Sequence, residues 1–282
     1  METIYDRKWR DRFRNITTKN KRNMLFFVGL GLYSADDVSV RGAFLISVAD
    51  YVYLEGYTSS LMGTSSEKLS ERYQKPIQVL RREDVEIHPD TLIEQAKTHT
   101  VVFLTGGDPM VSTTHADLRI RAAREGVQTE IIHGASIISA VCGLSGLQNY
   151  RFGKSCSIPF PYKNWMPRTP IDTIEHNRTY DLHTLVYLDI QPNRYMHIHE
   201  AIEILNTLYE TAEVPLSMPE LYIGIARAGS HDPHVYAGTS AQISDHDFGD
   251  PLHILIVPAS LHHIEQEYLA TFADLQDTSI GS

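Results

Sequence analysis

From Met24 onward, short apolar runs rich in β-forming residues alternate with longer stretches of helical pattern. This alternation is typical of α/β proteins. The predicted strands are residues 25–29, 51–54, 77–80, 101–105 and 127–133, and then 183–190, 221–226, 234–238 and 253–257. The predicted helices are 38–49, 65–73, 90–97 and 114–125, and then 170–177, 199–210 and 261–275. Since 282 residues suffice for two domains, we predict two α/β lobes with a cleft between them. The lobes span residues 24–134 and 135–282, and a Gly- and Ser-rich crossing (134–162) joins them.

The charge balance argues against a polyanionic partner. The formal net charge is -10, whereas proteins that hold a nucleic-acid backbone usually carry a basic patch or stripe. Residues 1–23 are the exception, because basic side chains outnumber acidic ones there. We expect this segment to be a flexible basic extension and folding to begin at Met24.

Cysteine usage and hydropathy indicate a cytoplasmic protein. Cys142 and Cys156 form no close pair suited to a metal and are expected to be reduced thiols. No apolar run approaches the roughly 20 residues that a membrane span needs, and the N-terminus lacks an apolar signal core. We therefore expect no membrane association.

A turn, Gly106-Gly107-Asp108-Pro109, follows the apolar run that ends at Thr105. Two glycines and a carboxylate after a buried strand let a small ligand approach closely. The same residues also form ordinary turns, in which the Asp side chain bonds its own backbone. Both interpretations remain open on this motif alone.

Two further strand ends resemble this corner. Gly29-Leu30-Gly31 follows the first strand, and His133-Gly134-Ala135-Ser136 follows the fifth. In a parallel sheet such corners converge on one crevice at the carboxyl ends of the strands. The first corner lacks the third glycine of a dinucleotide fingerprint, so a dinucleotide site is only weakly supported.

Other polar side chains receive structural interpretations. Ser112, Thr113 or Thr114 is expected to cap the helix that follows, and His115 to be exposed or packed. His197 and His199 would point to different faces of a helix and are interpreted as surface histidines. No nucleophile elbow, zinc-protease motif, phosphate-loop lysine or Cys-x-x-Cys occurs, so we assign no catalytic residue and no metal.

Longer motifs resemble a known family. They are Phe27 to Leu32, Tyr57-Thr58-Ser59, Arg82 to Glu86, Gly107-Asp108-Pro109, Thr113-Thr114-His115, Ala135-Ser136-Ile137, Gly146-Leu147-Gln148, Phe152-Gly153-Lys154, Asn164-Trp165, Leu182 to Leu185, Ala226 to Ser230 and Asp247 to Pro251. From Met24 to about Tyr268, the chain resembles the diphthine synthases of the tetrapyrrole methylase superfamily, and more closely their archaeal type.

The resemblance implies a homodimeric methyltransferase that uses S-adenosylmethionine, holds it between two α/β lobes and needs no metal. Its substrate would be the amine of a modified histidine on translation elongation factor 2, which the archaeal type implies receives three methyl groups. The implied cofactor contacts are Leu32, Asp108, Val111, Ser136, Ile137, Leu188, Ala228 and His253, with Ala226 as the alternative to Ala228.

These side chains suit that role chemically. Asp108 can pair with the cofactor's ammonium, Ser136 can form a hydrogen bond, and the aliphatic residues can wall a buried ligand. A quaternary ammonium product could lie over an aromatic face, and the aromatic candidates are Tyr33, Tyr53, Tyr57, Phe160, Tyr162 and Trp165. Ordinary packing remains the alternative for each.

Two other functions remain open from the sequence. A tetrapyrrole or ribosomal-RNA methyltransferase would share the lobes and the cofactor but use another acceptor. A non-enzymatic ligand-binding module would also fit, because no catalytic side chain is identifiable.

Overall fold

The structure is a computed structural model and describes residues 23–57, 61–163, 165–191 and 194–276. The predicted basic extension up to residue 22, together with Thr58, Ser59 and Asn164 of the family motifs, lies outside these ranges. The chain divides into two compact units, with the division between Ser136 and Ile137.

The first unit is an α/β unit built on a parallel sheet. Its strands are β1 (Met24–Gly29), β2 (Tyr51–Glu55), β3 (Ile77–Leu80), β4 (Thr100–Thr105) and β5 (Gln128–Ile132). Its helices are α1 (Val40–Val48), α2 (Ser66–Tyr73), α3 (Asp90–Ala96) and α4 (His115–Arg124). The strand order is β3-β2-β4-β1-β5, and every neighbouring pair is parallel. All five predicted strands of this unit are confirmed.

Both faces of this sheet are covered. Along β1, Leu25 and Phe27 join one hydrophobic cluster, while Phe26 and Val28 join another. A parallel sheet buried on both faces needs continuous apolar strands rather than alternating ones. The strands of the first unit can therefore be predicted from apolar runs in the sequence.

The second unit is also α/β, but its sheet is mixed. Its strands are β6 (Cys156–Ile158), β7 (Thr184–Leu188), β8 (Ile190–Gln191), β9 (Arg194–Tyr195), β10 (Tyr222–Ala226), β11 (His234–Gly238) and β12 (His253–Val257). Its helices are α5 (Ile137–Ser145), α6 (Thr169–Thr179), α7 (Ile198–Glu210), α8 (Ser240–Asp245) and α9 (His263–Phe272). The main sheet has the order β11-β10-β12-β7-β6, in which β12 runs antiparallel to β10 and β7.

Several elements differ from the prediction. The crossing segment contains α5 and the three-residue strand β6, and the predicted strand 183–190 stops at Leu188 before a separate short hairpin of β8 and β9. The last helix begins at His263, later than predicted, because the His262 side chain accepts a hydrogen bond from the Ile264 amide and caps it there. A single π-helical turn, Glu83–Ile87, was not foreseen.

Within the described ranges, none of the helices has the length and apolar character needed to cross a membrane.

Candidate functional site

The carboxyl ends of β1, β4 and β5 meet in the first unit. The Gly107 amide donates a hydrogen bond to the Gly31 carbonyl at 2.7 Å. A Cβ atom added to Gly29 would lie 2.5 Å from the carbonyl oxygen of Gly107 and 2.6 Å from the backbone nitrogen of Gly134. Only residues without side chains allow the three backbones to approach so closely, and the predicted convergence of the corners is confirmed.

Gly107 has a second requirement. Its φ is +73°, which favours glycine, and apart from Gly107 and its two chain neighbours no atom of the described residues lies within 4 Å of the position that its Cβ would occupy. The turn therefore exposes an open stretch of backbone beside Asp108.

Asp108 is buried and already hydrogen-bonded. Its Oδ1 accepts a bond from the Met110 amide at 2.9 Å, so the ordinary Asx turn is present. Its Oδ2 lies 2.7 Å from Nδ1 of His133. An ionised carboxylate offers about four acceptor positions, so capacity remains for a ligand ammonium.

The other candidates of the first unit lie on the same corners. Leu32 and Val111 are half-buried, one following β1 and the other following β4, and Ser136 is buried between β5 and α5. Thr114 is the residue immediately before α4. Its hydroxyl donates a hydrogen bond to Glu86 and does not cap the helix, so the predicted side-chain cap is wrong. His115 is packed, as expected, with Nδ1 3.0 Å from the Pro109 carbonyl oxygen.

The second unit has its own group of candidates at one edge of its sheet. Ala226 lies opposite His253 in the β10–β12 pair, and Ile254 lies opposite Tyr187 in the β12–β7 pair. Leu188 therefore follows Tyr187 towards the edge where His253 begins β12. Ile137, the first residue of α5, packs against one face of this unit's core.

Ala226 and Ala228 differ in exposure. Ala226 is fully buried in the hydrophobic core, whereas Ala228 follows the strand and is half-buried. Ala228 therefore offers more accessible surface to a ligand than Ala226 does, which favours Ala228 for the proposed contact.

His253 is held as a neutral ring. Burial, and then the nearby His197, lower its pKa to about 4. Its Nδ1 accepts from the Ile198 amide at 3.3 Å, and Nε2 donates to the Gly249 carbonyl at 3.1 Å. With both nitrogens engaged, the ring can form a wall of a site but has no free nitrogen for proton transfer.

The interpretation of His197 and His199 needs correction. His197 precedes α7 instead of lying within it, and the two rings are 5.6 Å apart rather than on different faces. His197 is half-buried against His253, with the ring centroids 4.7 Å apart, and only His199 is exposed. The helical spacing rule fails because it applies only inside the helix.

The two cysteines carry free thiols, and burial raises the pKa of Cys156 to about 12. In the ranges that the structure describes, no group of three His, Cys, Asp or Glu side chains is arranged to hold a metal.

Cations of the chain itself occupy three of the six candidate aromatic rings. Arg82 lies 4.9 Å from the Tyr57 ring centroid, Lys163 lies 5.2 Å from that of Tyr162, and Arg194 lies 3.6 Å from that of Phe160. Tyr53 is buried, with its hydroxyl bonded to Gln95. Tyr162 is 67% exposed and Trp165 is 62% exposed, but of these two rings only that of Tyr162 lies beside one of the three cations named above.

Sequence reasoning assigned no role to His133. The histidine was visible at the end of the fifth strand, next to the Gly134 corner, but its partner Asp108 is 25 residues away. The signal in the sequence was a polar residue at the end of each of two consecutive predicted strands, although β1 lies between these strands in the sheet.

The chain is similar to known proteins over nearly all of its described length. A family model described as Tetrapyrrole (Corrin/Porphyrin) Methylases matches residues 24–244. A protein named diphthine synthase from Methanospirillum hungatei is 60% identical over 252 residues, which are 89% of this chain and 98% of that protein. A second one, from Methanoregula boonei, is 59% identical over 89% of this chain and all of that protein.

A solved structure agrees with these relatives. A crystal structure of diphthine synthase superposes with a TM-score of 0.82 and 45% identity, covering 89% of this chain and 96% of that one. The matched regions include both units described above. The chain belongs to the diphthine synthases, within the tetrapyrrole methylase family.

Proposed function

We propose that this chain, an S-adenosylmethionine-dependent methyltransferase by family, methylates the amine of the aminocarboxypropyl-modified histidine of translation elongation factor 2. The observation that carries the proposal is the 60% identity with a diphthine synthase over 98% of that protein's length. We propose three methyl groups per histidine, as the archaeal resemblance implies.

The first unit offers a place for the cofactor's charged end. Asp108 is buried with acceptor capacity remaining, and the backbone beside Gly107 is open. A carboxylate in such surroundings favours an ammonium group. Ser136 would add a hydrogen bond, and Leu32 and Val111 an apolar wall.

In the second unit, the proposed cofactor contacts are Ile137, Leu188, Ala228 and His253. These residues offer mainly apolar surface and one neutral ring, which suits an uncharged part of a ligand. When bound, S-adenosylmethionine supplies an electrophilic methyl group. The residues of the chain hold the acceptor amine in line with it, and such positioning can supply much of the rate.

The acceptor must be neutral when it reacts, because an ammonium has no lone pair. Burial favours the uncharged form of an amine, so an enclosed site assists the reaction without a covalent intermediate. No metal is required for this chemistry.

We also propose that the protein acts as a homodimer in the cytoplasm, that its two units are separate domains, and that its partner is the elongation factor and not a nucleic acid. The net charge of -10 supports the last point.

The direct test combines the purified chain, S-adenosylmethionine and elongation factor 2 that bears the unmethylated intermediate. Mass spectrometry of the modified peptide should show successive methyl increments on that histidine alone. A competent acceptor that gains no mass would contradict the proposal, and so would calorimetry that detects no binding of S-adenosylmethionine.

A further inference from the structure

Asp108 and His133 form a carboxylate–imidazole pair at the carboxyl edge of the first sheet. Oδ2 of Asp108 lies 2.7 Å from Nδ1 of His133. The carboxylate is 7% exposed, while the imidazole side chain is 74% exposed. A buried group thus fixes a ring that remains open to a reactant.

The bond also fixes the tautomer. An ionised carboxylate can only accept a hydrogen bond, so Nδ1 of the neutral ring carries the proton and Nε2 carries the lone pair. An imidazole oriented in this way by a carboxylate is a common arrangement for a general base.

No other histidine of the described ranges combines these features. His183 also lies near a carboxylate, Glu265, but both side chains are fully buried. His253 uses both ring nitrogens in bonds to the backbone. His115 is fully buried, and its Nδ1 lies beside a carbonyl.

The position of His133 fits the reaction. It directly precedes Gly134, whose backbone lies against those of Gly29 and Gly107, and it is three residues before Ser136. The ring therefore lies at the corner where the strand ends converge. Its partner Asp108 is itself a proposed cofactor contact.

We propose that His133 is the general base of the methyl transfer and that Asp108 orients it; this rests on the function proposed above. Nε2 of neutral His133 removes one proton from the substrate ammonium and becomes charged. The freed nitrogen lone pair forms the N–C bond as the methyl–sulfur bond breaks, and the electron pair of that bond stays on sulfur. His133 then releases its proton to solvent.

The stoichiometry requires repeated use of the base. The amine must lose one proton before each methyl transfer, so three transfers release three protons, and the quaternary product has none left to give. A weakened base slows every step and allows partly methylated products to accumulate.

The test uses the full chain with saturating S-adenosylmethionine and the unmethylated elongation factor. His133→Ala should slow single-turnover methylation by about 10²- to 10⁴-fold. Its affinity for S-adenosylmethionine, measured by calorimetry, should stay within about twofold of wild type, since a general base acts on the amine and not on cofactor binding. Added imidazole should restore part of the rate, because the exposed ring leaves space for it.

A second variant, His133→Gln, retains a polar side chain and should be equally slow. A normal melting temperature for either variant shows that it is folded.

His99→Ala is the matched control. His99 is an exposed histidine of the same unit, at the amino end of β4, and its loss should leave the rate unchanged. A wild-type rate in both His133 variants, a loss of cofactor affinity in parallel with the rate, or an absence of imidazole rescue would each overturn the proposal. A wild-type chain that methylates nothing on a competent acceptor would instead contradict the proposed function.

Discussion

Ala226 and His253 are paired across the antiparallel strands β10 and β12, so the buried imidazole is fixed at the same strand edge as Leu188 and Ala228. The ring bonds the Ile198 amide through one nitrogen and the Gly249 carbonyl through the other. Burial lowers the pKa of this histidine, so its ring is neutral. The first unit places its charged and titratable pair, Asp108 and His133, at the edge of its own sheet.

The neutral state of His253 should make the protein sensitive to acid. Its pKa of about 4 in the folded state lies below the usual 6.5, so the unfolded chain binds the proton first as the pH falls. The contribution of His253 to the free energy of unfolding is fully present above about pH 6.5. As the pH falls from about 6.5 to about 4, the free energy of unfolding should decrease by about 3 kcal/mol because of this group. Denaturant unfolding measures the free energy of unfolding, which should decrease less between pH 7 and pH 4 in His253→Gln than in wild type. The same decrease in both proteins would contradict the lowered pKa of His253.

Removal of the Asp108 carboxylate should weaken binding of S-adenosylmethionine. Loss of a charge-assisted hydrogen bond costs about 2 kcal/mol, or roughly thirtyfold in Kd. Calorimetry of Asp108→Ala measures this, and circular dichroism should show that the fold is retained. Asp117→Ala removes an exposed carboxylate of α4 that pairs with Arg121 and should leave the affinity unchanged. Equal affinities of wild type and Asp108→Ala would remove Asp108 from the cofactor site.

The glycine at the end of β1 should tolerate no side chain. Gly29→Ala would force its Cβ against backbone atoms of Gly107 and Gly134, which cannot rotate away. We expect a loss of about 1–3 kcal/mol in the free energy of unfolding, together with weaker cofactor binding. Gly143→Ala is the control, because its Cβ would meet nothing within 4 Å on helix α5. A stable Gly29→Ala protein with normal affinity for S-adenosylmethionine would mean that the backbones at Gly29, Gly107 and Gly134 can move apart.

The exposed ring of Trp165 should affect the extent of methylation. If this ring stabilises the quaternary ammonium, Trp165→Leu should raise the barrier of the third methyl transfer by about 1 kcal/mol, which slows that step roughly fivefold. Mass spectrometry would then show dimethylated product accumulating. Tyr150→Leu removes another exposed aromatic ring and should leave the distribution as in wild type. The same methyl distribution in both variants would exclude Trp165 from this role.

A buried carboxylate should be essential to the second unit. Glu265 is fully buried and bonds Arg151 at 3.0 Å, His183 at 3.3 Å and the Gln148 amide at 2.9 Å. Burial alone would raise its pKa, but the hydrogen bonds from the Gln148 and His262 amides, together with the nearby His183, outweigh burial and lower it. Glu265→Gln removes the buried charge partner of Arg151, which keeps its ion pair with Asp181 on the surface, and should cost about 3 kcal/mol. Denaturant unfolding against Glu267→Gln, an exposed residue of the same helix, checks this.

The sequence predicts the first unit better than the second for a physical reason. Strands such as β1 and β4 are buried on both faces, so they stand out as apolar runs, and their glycine corners mark the ends. Strand β6 is only three residues long and exists through its pairing with β7, 28 residues later. No local pattern predicts such a strand.

The same distinction applies to the candidate site. The Asx turn of Asp108 is local and was predictable, whereas its bond to His133 arises from the tertiary arrangement of β4 and β5. The relation of His197 to His253 likewise depends on where α7 starts. A contact between two segments that are distant in sequence can be identified only from the tertiary structure.

The bonds of Glu265 also constrain the order in which the chain can fold during synthesis. The first sheet is complete once Ile132 has emerged from the ribosome. In the second unit, Arg151 and His183 wait for a partner that is translated 114 and 82 residues later. The nascent chain should therefore carry a finished first unit while the second remains open to chaperones until Glu265 has been translated.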